Sequence, residues 1–494
     1  MYPSFEMTHL SALGFPISQK GAQPSRSKGT RSPNRRSSLL MLSILLSAFL
    51  PQIAAAQATK QILRADERYK VDILLVVAHP DDEGAATPYL ARVIDEGKHV
   101  AVIYGTRGSS GENQAGAEQA AALGEIREIE ALHALATLGI DKGWFLGGKD
   151  TASQNVLQSL ANWGHGGALE NLVRLVRLTR PEVILTFLPG TFIGEDHGDH
   201  QAAGVLATEA FDLAGDTAVF PEQLAAPMRR LEPYLENLRP WQPKKIYYFP
   251  DADKEEIFHE KGPKYSVKEI SKAAKQAYWR AALESFRAHE TQAKGFLDSL
   301  SKMDEAQIEK MATSDFWSNG ISFVLGKSLV GGSVTGDIFE GITPRAIGFA
   351  QPNASPEPQK PDLSVELAGP WSFYSEFRRE HGLSHLPHPE PPEIALQAGT
   401  ELVIPLWLRN QSSAAQEISL RVNLPSGWTV DGGEGKFMVA ARQTAAARIE
   451  LKLPLLGEGS KTEMQEVSVH AESSGRPIGE VKLRVELRKR ALPE

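Results

Sequence analysis

Hydrophobic and polar positions along the chain fall into two textures. Ile73-Leu74-Leu75-Val76-Val77-Ala78 is a continuous apolar run, the pattern of a strand buried on both faces in a parallel sheet. Val100 to Tyr104 and Val183 to Leu188 repeat that character. Between them, Ile126, Ile129, His133 and Ala136 keep the 3-and-4 spacing of a helix, with Leu132 and Leu135 widening the stripe and Gly139 as a C-terminal stop. That spacing places His133 on the apolar face, as a satisfied core residue. Strand, helix, strand in this order predicts a Rossmann-like α/β fold, a mostly parallel sheet with flanking helices. Ser266 with Glu269 three residues on is a capping-box pattern and predicts a long helix running toward Leu300.

The second texture is β. Ile418, Leu420, Val422 and Leu424 alternate with polar positions, as do Val481, Leu483, Val485 and Leu487. Half-buried strands separated by Pro, Gly and Ser predict an all-β sandwich over residues 363–494, with no helix-forming run in it. The stretch 351–362 holds four prolines and no apolar period, so it is expected to be a linker after an α/β domain at 59–350.

Residues 1–58 stand apart. Their basic stretch ends at Arg35-Arg36 and is followed by the apolar run Leu39 to Leu50. That run is too short for a bilayer, which needs about 20 residues. Small residues follow at Ala54-Ala55-Ala56, so the segment predicts an export signal, with a loose twin-arginine version as one variant. The segment has six basic side chains and one acidic; with the whole chain at −8, the remainder stands at −13. Such an acidic chain is a poor partner for nucleic acid or an anionic membrane surface. Oligomeric state is not legible. The absence of cysteine leaves His, Asp and Glu as the only metal ligands available.

Two such clusters follow buried strands. His79-Pro80-Asp81-Asp82-Glu83 comes after the first, and Glu195-Asp196-His197-Gly198-Asp199-His200 after the third. Parallel strands bring their carboxyl ends to one rim, where α/β folds bind ligands. Repelling phosphate, the clusters suit a cation: a zinc with three protein ligands and one open position, at which water ionises near pH ~7. A spare carboxylate can take a proton from that water, and a spare imidazole can stabilise or protonate what leaves. The glycine-rich Gly105 to Gly111 has neither P-loop nor dinucleotide spacing.

These residues resemble the PIG-L/LmbE-like family of zinc-dependent N-deacetylases, over about Val71 to Tyr248 and more loosely to Pro344. Thr106-Arg107-Gly108, Leu123-Gly124 with Arg127 and Glu130, and His289 with Gln292 extend the likeness. The resemblance implies an enzyme that removes an N-acyl group, acetyl above all, from an amino sugar or glycoconjugate. It implies His79, Asp82 and His200 as ligands of Zn2+, Asp81 as general base, His197 as its electrostatic partner and Asp199 as the group that orients His197. His197 as a third imidazole ligand is the competing role. Arg127 is expected either to bind substrate or to pair with Glu130 or with the motif's carboxylates, and Glu83 to support its loop. The family has proline between the paired His and Asp; Gly198 stands here instead and is expected to loosen the loop. Specificity is expected from Gly105 to Ala117 and Gly147 to Gly167. The alternatives are a zinc amidase acting on another conjugate and a non-catalytic carbohydrate-binding or scaffold protein.

Leu424-Pro425-Ser426-Gly427-Trp428 resembles a signature of Ig-like domains attached to carbohydrate-active enzymes, with Trp428 expected in the core rather than stacked on sugar. His165 is read as a loop residue. His381, His385 and His388 form a weak candidate for a second metal site.

Overall fold

β1 (Ile73–Val77) is buried along its whole length, as its unbroken apolar sequence requires. It lies at the centre of a six-stranded sheet of order β3-β2-β1-β4-β5-β8. The other members are β2 (Val100–Tyr104), β3 (Gly143–Phe145), β4 (Val183–Phe187), β5 (Lys245–Phe249) and β8 (Val324–Ser328); β6 (Lys264–Tyr265) and β7 (Ile321–Ser322) form a separate pair. The sheet is parallel except for β8, which runs antiparallel to β5. The chain winds outward from β1 through β2 to β3 and then returns to β4 on the other side of β1. The β1/β4 boundary is therefore a topological switch point, where loops diverge and leave a crevice at the strands' carboxyl ends.

This computed structural model describes residues 67–190, 197–224, 238–249, 259–317, 320–343, 361–457 and 464–489. The expected export signal at 1–58, Glu195, Asp196 and the linker residues 351–360 lie outside the described residues. Among those described, no helix is long and apolar enough to cross a membrane.

Three helical expectations need correction. α2 (Ala120–Thr137) forms, following α1 (Thr87–Asp95), but buries Leu123, Arg127, Ala131, Ala134 and Leu135. Ile129 is 69% exposed, and His133 faces solvent. The buried face is rotated because Arg127 has partners inside the protein, so a charged residue outcompetes isoleucine for the interior. No single helix runs from Ser266 to Leu300: residues 266–277 are turns, closed in part by Ser271 N–H donating to Gln276 O (2.8 Å). After α3 (Val156–Trp163), α4 (His165–Thr179) and α5 (Gly198–Leu213), the helices are α6 (Tyr278–Phe286), α7 (Glu290–Leu300) and α8 (Glu305–Lys310).

The C-terminal region has two sheets, a five-stranded one of order β10-β17-β16-β12-β14 and a four-stranded one of order β13-β15-β11-β9. β9 (Leu363–Leu367) begins it and β17 (Arg476–Arg488) ends it; between them run β10 (Glu393–Gln397), β11 (Glu401–Asn410), β12 (Gln416–Asn423), β13 (Thr429–Gly432), β14 (Gly435–Val439), β15 (Gln443–Lys452) and β16 (Met464–Ser473). Leu406, Leu408, Ile418, Ile449, Val469 and Val485 meet in its core. Trp428 is buried there, its Nε1 donating to Gln465 Oε1 (2.6 Å). Contrary to expectation, this region contains a helix, α9 (Pro370–Glu380). Its Tyr374 and Phe377, with Leu383 and Leu386 beyond, belong to the hydrophobic core of the α/β layers.

Candidate functional site

The two clusters meet at the switch point. The loop after β1 turns sharply through Asp81, whose φ of 95° lies in the left-handed region that non-glycine residues rarely occupy. Strain of this kind costs roughly 1–3 kcal/mol and collects at functional sites. Glu83 stabilises the turn from beneath: Oε2 accepts the N–H of Asp81 (3.1 Å) and Oε1 pairs with His289 Nε2 (2.6 Å). Gln292, also from the start of α7, donates to Pro80 O (2.7 Å). The Asp81 carboxylate itself has no hydrogen-bond partner among the described residues. Burial, then the adjacent Asp82 charge, pushes it up to about 7.

Asp82 faces two imidazoles. Its Oδ2 lies 3.4 Å from His79 Nδ1 and its Oδ1 3.2 Å from His200 Nε2, while the N–H groups of Ala78 and His79 donate to Oδ2. Burial opposes its charge, but His200 and His79 outweigh burial and hold it well below the usual carboxylate range. His200 lies in the first turn of α5, stacked on Phe187 at 4.3 Å and 4°. Asp82 thus meets the two imidazoles through different oxygens, each at a spacing close to the ~3.3 Å between tetrahedral ligands. Among the described residues, the group of donors within 4.8 Å of one another that includes His79 and His200 joins them to His197, not to Asp82. Burial works against a charge on His79, yet Asp82, Asp150 and Asp199 raise it well above its ordinary value.

His197 caps α5, and its ring stands 4.7 Å from that of His79 and 5.1 Å from that of His200. One nitrogen from each of these three imidazoles lies within 4.8 Å of the others, as do donors of His79, Asp150 and Asp199. His197 Nδ1 accepts the backbone N–H of Asp199 (3.3 Å), so the neutral ring carries its proton on Nε2. Burial, followed by the neighbouring His79 and His200, lowers its pKa and keeps it neutral.

Asp199 thus touches His197 through the main chain, not by the carboxylate expected to orient it. That carboxylate accepts the Thr151 N–H (2.9 Å) and faces His79 Nε2 (3.4 Å); Oδ1 is buried without a partner. A carboxylate on the far nitrogen of a ligand histidine fixes its tautomer and strengthens it as a donor. Asp150, which the motif reading missed, does the same at 3.1 Å and is anchored by Ser110 N–H (2.7 Å). Burial opposes its ionisation, but His79 and Ser110 bring it down to about 2. The signal for Asp150 was its place after a third parallel strand, β3.

Arg127 and Gly198 have definite settings in the structure. Arg127 is only 4% exposed and donates to Gly108 O, Glu112 O (2.7 Å) and Thr291 Oγ1 (3.4 Å). These bonds brace the 105–112 loop against α7. Glu130 pairs with Thr291. Gly198 does not loosen its loop: its N–H donates to Ser153 O (2.6 Å), and a Cβ there would stand 2.8 Å from that oxygen. His165, His381, His385 and His388 have separate partners: Glu209, Asp212, Leu325 O and Glu390 respectively.

The family model for PIG-L, GlcNAc-PI de-N-acetylase, matches residues 74–211. A 1D-myo-inositol 2-acetamido-2-deoxy-alpha-D-glucopyranoside deacetylase of Streptomyces griseus is 35% identical over 164 residues, which cover 30% of this chain and 50% of the relative. A namesake from Thermobifida fusca is 30% identical over 191 residues, covering 35% and 60%. This chain spans about half the length of the curated relatives it matches. The solved N,N'-diacetylchitobiose deacetylase from Pyrococcus horikoshii aligns with a TM-score of 0.35 at 18% identity, covering 56% of this chain and 87% of that one.

Proposed function

We propose, from the premise that residues 74–211 form a PIG-L domain, that this chain is a zinc-dependent N-deacetylase of an N-acetylated amino sugar or glycoconjugate. The observation that carries the reading is Asp82 facing both His79 and His200, with the unpartnered Asp81 carboxylate one residue away. His79, Asp82 and His200 would hold the metal. When bound, zinc would polarise water and the amide carbonyl as a Lewis acid. Asp81 takes the proton of the attacking water; a value raised toward neutrality suits a group that must both accept and return a proton. His197, neutral with Nε2–H free to donate, stabilises the oxyanion. As the C–N bond breaks, Asp81 passes its proton to the nitrogen, leaving acetate and a free amine. Asp150 and Asp199 hold His79 by its far nitrogen. The basic and apolar pattern of residues 1–58 supports export, and hence a glycan outside the cytoplasm.

Acetate release from a panel of N-acetylated sugars and oligosaccharides tests this, with Asp81→Asn alongside. The variant is expected to keep its metal and lose turnover by at least 100-fold. Full metal content with no acetate from any sugar would reject the amino-sugar substrate, and metal loss in Asp81→Asn would make Asp81 a ligand.

A further inference from the structure

Outside this site, a cavity of about 890 Å³ opens between α9, the edge strand β9 and β17; Tyr374 on its wall hydrogen-bonds Gln201, the neighbour of His200. Its volume lies in the range of small-molecule sites. Most charges on its wall are neutralised in place: Arg409 pairs with Glu366 (3.0 Å), Lys482 with Glu466 (3.0 Å) and His388 with Glu390 (2.9 Å). Arg378 is different. Its Nε is buried and unsatisfied, and the guanidinium makes no hydrogen bond or ion pair among the described residues. A guanidinium stays charged, and here the Tyr374 ring at 5.9 Å and the field of Glu390 partly offset its burial without a direct hydrogen bond, leaving the fork open to an anion. The planar fork matches a carboxylate or phosphate through two parallel hydrogen bonds. Glu376 and Glu480 share the wall and would repel a dianionic phosphate more than a monoanion. Beside Arg378, Trp371 offers an aromatic surface, and the hydroxyls of Ser372 and Ser375 offer polar contacts.

We propose that this cavity binds a carboxylate-bearing saccharide, a uronic acid unit of a glycan, with Arg378 as the anchor for its carboxylate. The saccharide part rests on the amino-sugar reading above; the carboxylate part stands on the cavity alone. Bound there, such a unit would tether a mixed glycan to the chain while a neighbouring N-acetylated residue is processed.

Calorimetric titration of the full chain with trigalacturonate tests it. The methyl-esterified trimer, inorganic phosphate and succinate are the comparison ligands. Binding is expected to fall at least tenfold in Arg378→Gln and in Ser375→Trp, which fills the cavity while leaving every charge in place. Melting temperatures would show that both variants fold, and acetate release from small N-acetylated sugars would be unchanged. Equal binding of the esterified trimer, equal binding by folded Arg378→Gln, or no trimer binding at all would overturn the proposal. Tighter phosphate binding would reject the carboxylate, and succinate binding as tightly as the trimer would reject the saccharide. Uronate binding without any acetate release would strike the deacetylase reading alone.

Discussion

Replacing Gly198 with proline reverses an ordinary expectation. Gly198 opens α5, the first helical position, where proline's fixed φ and missing N–H are normally welcome. Here that N–H is in use, donating to Ser153 O at 2.6 Å. A Cβ would also lie 2.7 Å from Ser159 Oγ, 2.8 Å from Ser153 O and 3.1 Å from the Asn155 carbonyl carbon. The serine hydroxyl can rotate away, but the two backbone contacts cannot relax unless the 153–155 segment moves. Gly198→Ala should therefore cost about 1–3 kcal/mol through overpacking. Gly198→Pro adds the penalty of an unsatisfied Ser153 carbonyl, roughly 1–3 kcal/mol more. A melting point lower by on the order of 10 °C is expected for proline and a smaller drop for alanine. The displaced segment continues from Asp150 and Thr151, which contact His79 and Asp199, so acetate release should fall with stability. Scanning calorimetry and an acetate assay on both variants give the answer. A proline variant that melts within a degree or two of the parent, with unchanged turnover, would refute the close approach.

Asp199→Asn puts an amide N–H where His79 Nε2 now meets a carboxylate, favouring the wrong tautomer; chelator competition should show zinc affinity reduced by ~10–100-fold, and unchanged affinity would remove Asp199 from the metal's support. Arg127→Lys cannot reproduce the guanidinium fork that spans acceptors on the 105–112 loop and α7, so urea unfolding should register a loss of about 2–3 kcal/mol; a raised KM at undiminished stability would make Arg127 a substrate ligand. The His165 pKa is raised, chiefly by its hydrogen bond to Glu209. That stabilisation is complete below the unfolded value near ~6.5 and is lost as pH rises through the folded one, so Glu209→Gln should lower the melting point more at pH ~6 than at pH ~9. Equal losses at both would exclude the pair as a source of pH dependence.

β1, β2 and β4 and their trailing clusters were legible because an all-apolar run admits few placements and the carboxyl ends of parallel strands share a rim. Asp150 was not. Gly147-Gly148-Lys149-Asp150 carries no motif, and its arrival depends on Gly148 N–H meeting Gly105 O (2.9 Å) across two loops. Hydrophobic ranking placed Ile126 and Ile129 inward on α2, whereas the interior face is set by what Arg127 can reach. α9 was hidden by its proline-rich surroundings, although Phe373, Tyr374 and Phe377 have helical spacing and Pro370 sits where a helix begins.

That helix has a consequence for inheritance. Tyr374 and Phe377 fill the core of the α/β layers, Trp371 at its start packs against the sandwich core, and His381 just beyond it pairs with Asp212 of α5. The C-terminal region is thus not a passenger that recombination could exchange freely at the proline-rich stretch. A cut there would remove aromatic side chains from the α/β half and leave their complementary surface bare. An unrelated sandwich spliced on in its place would have to bring a matching helix, so the two halves are expected to diversify together as one evolutionary unit.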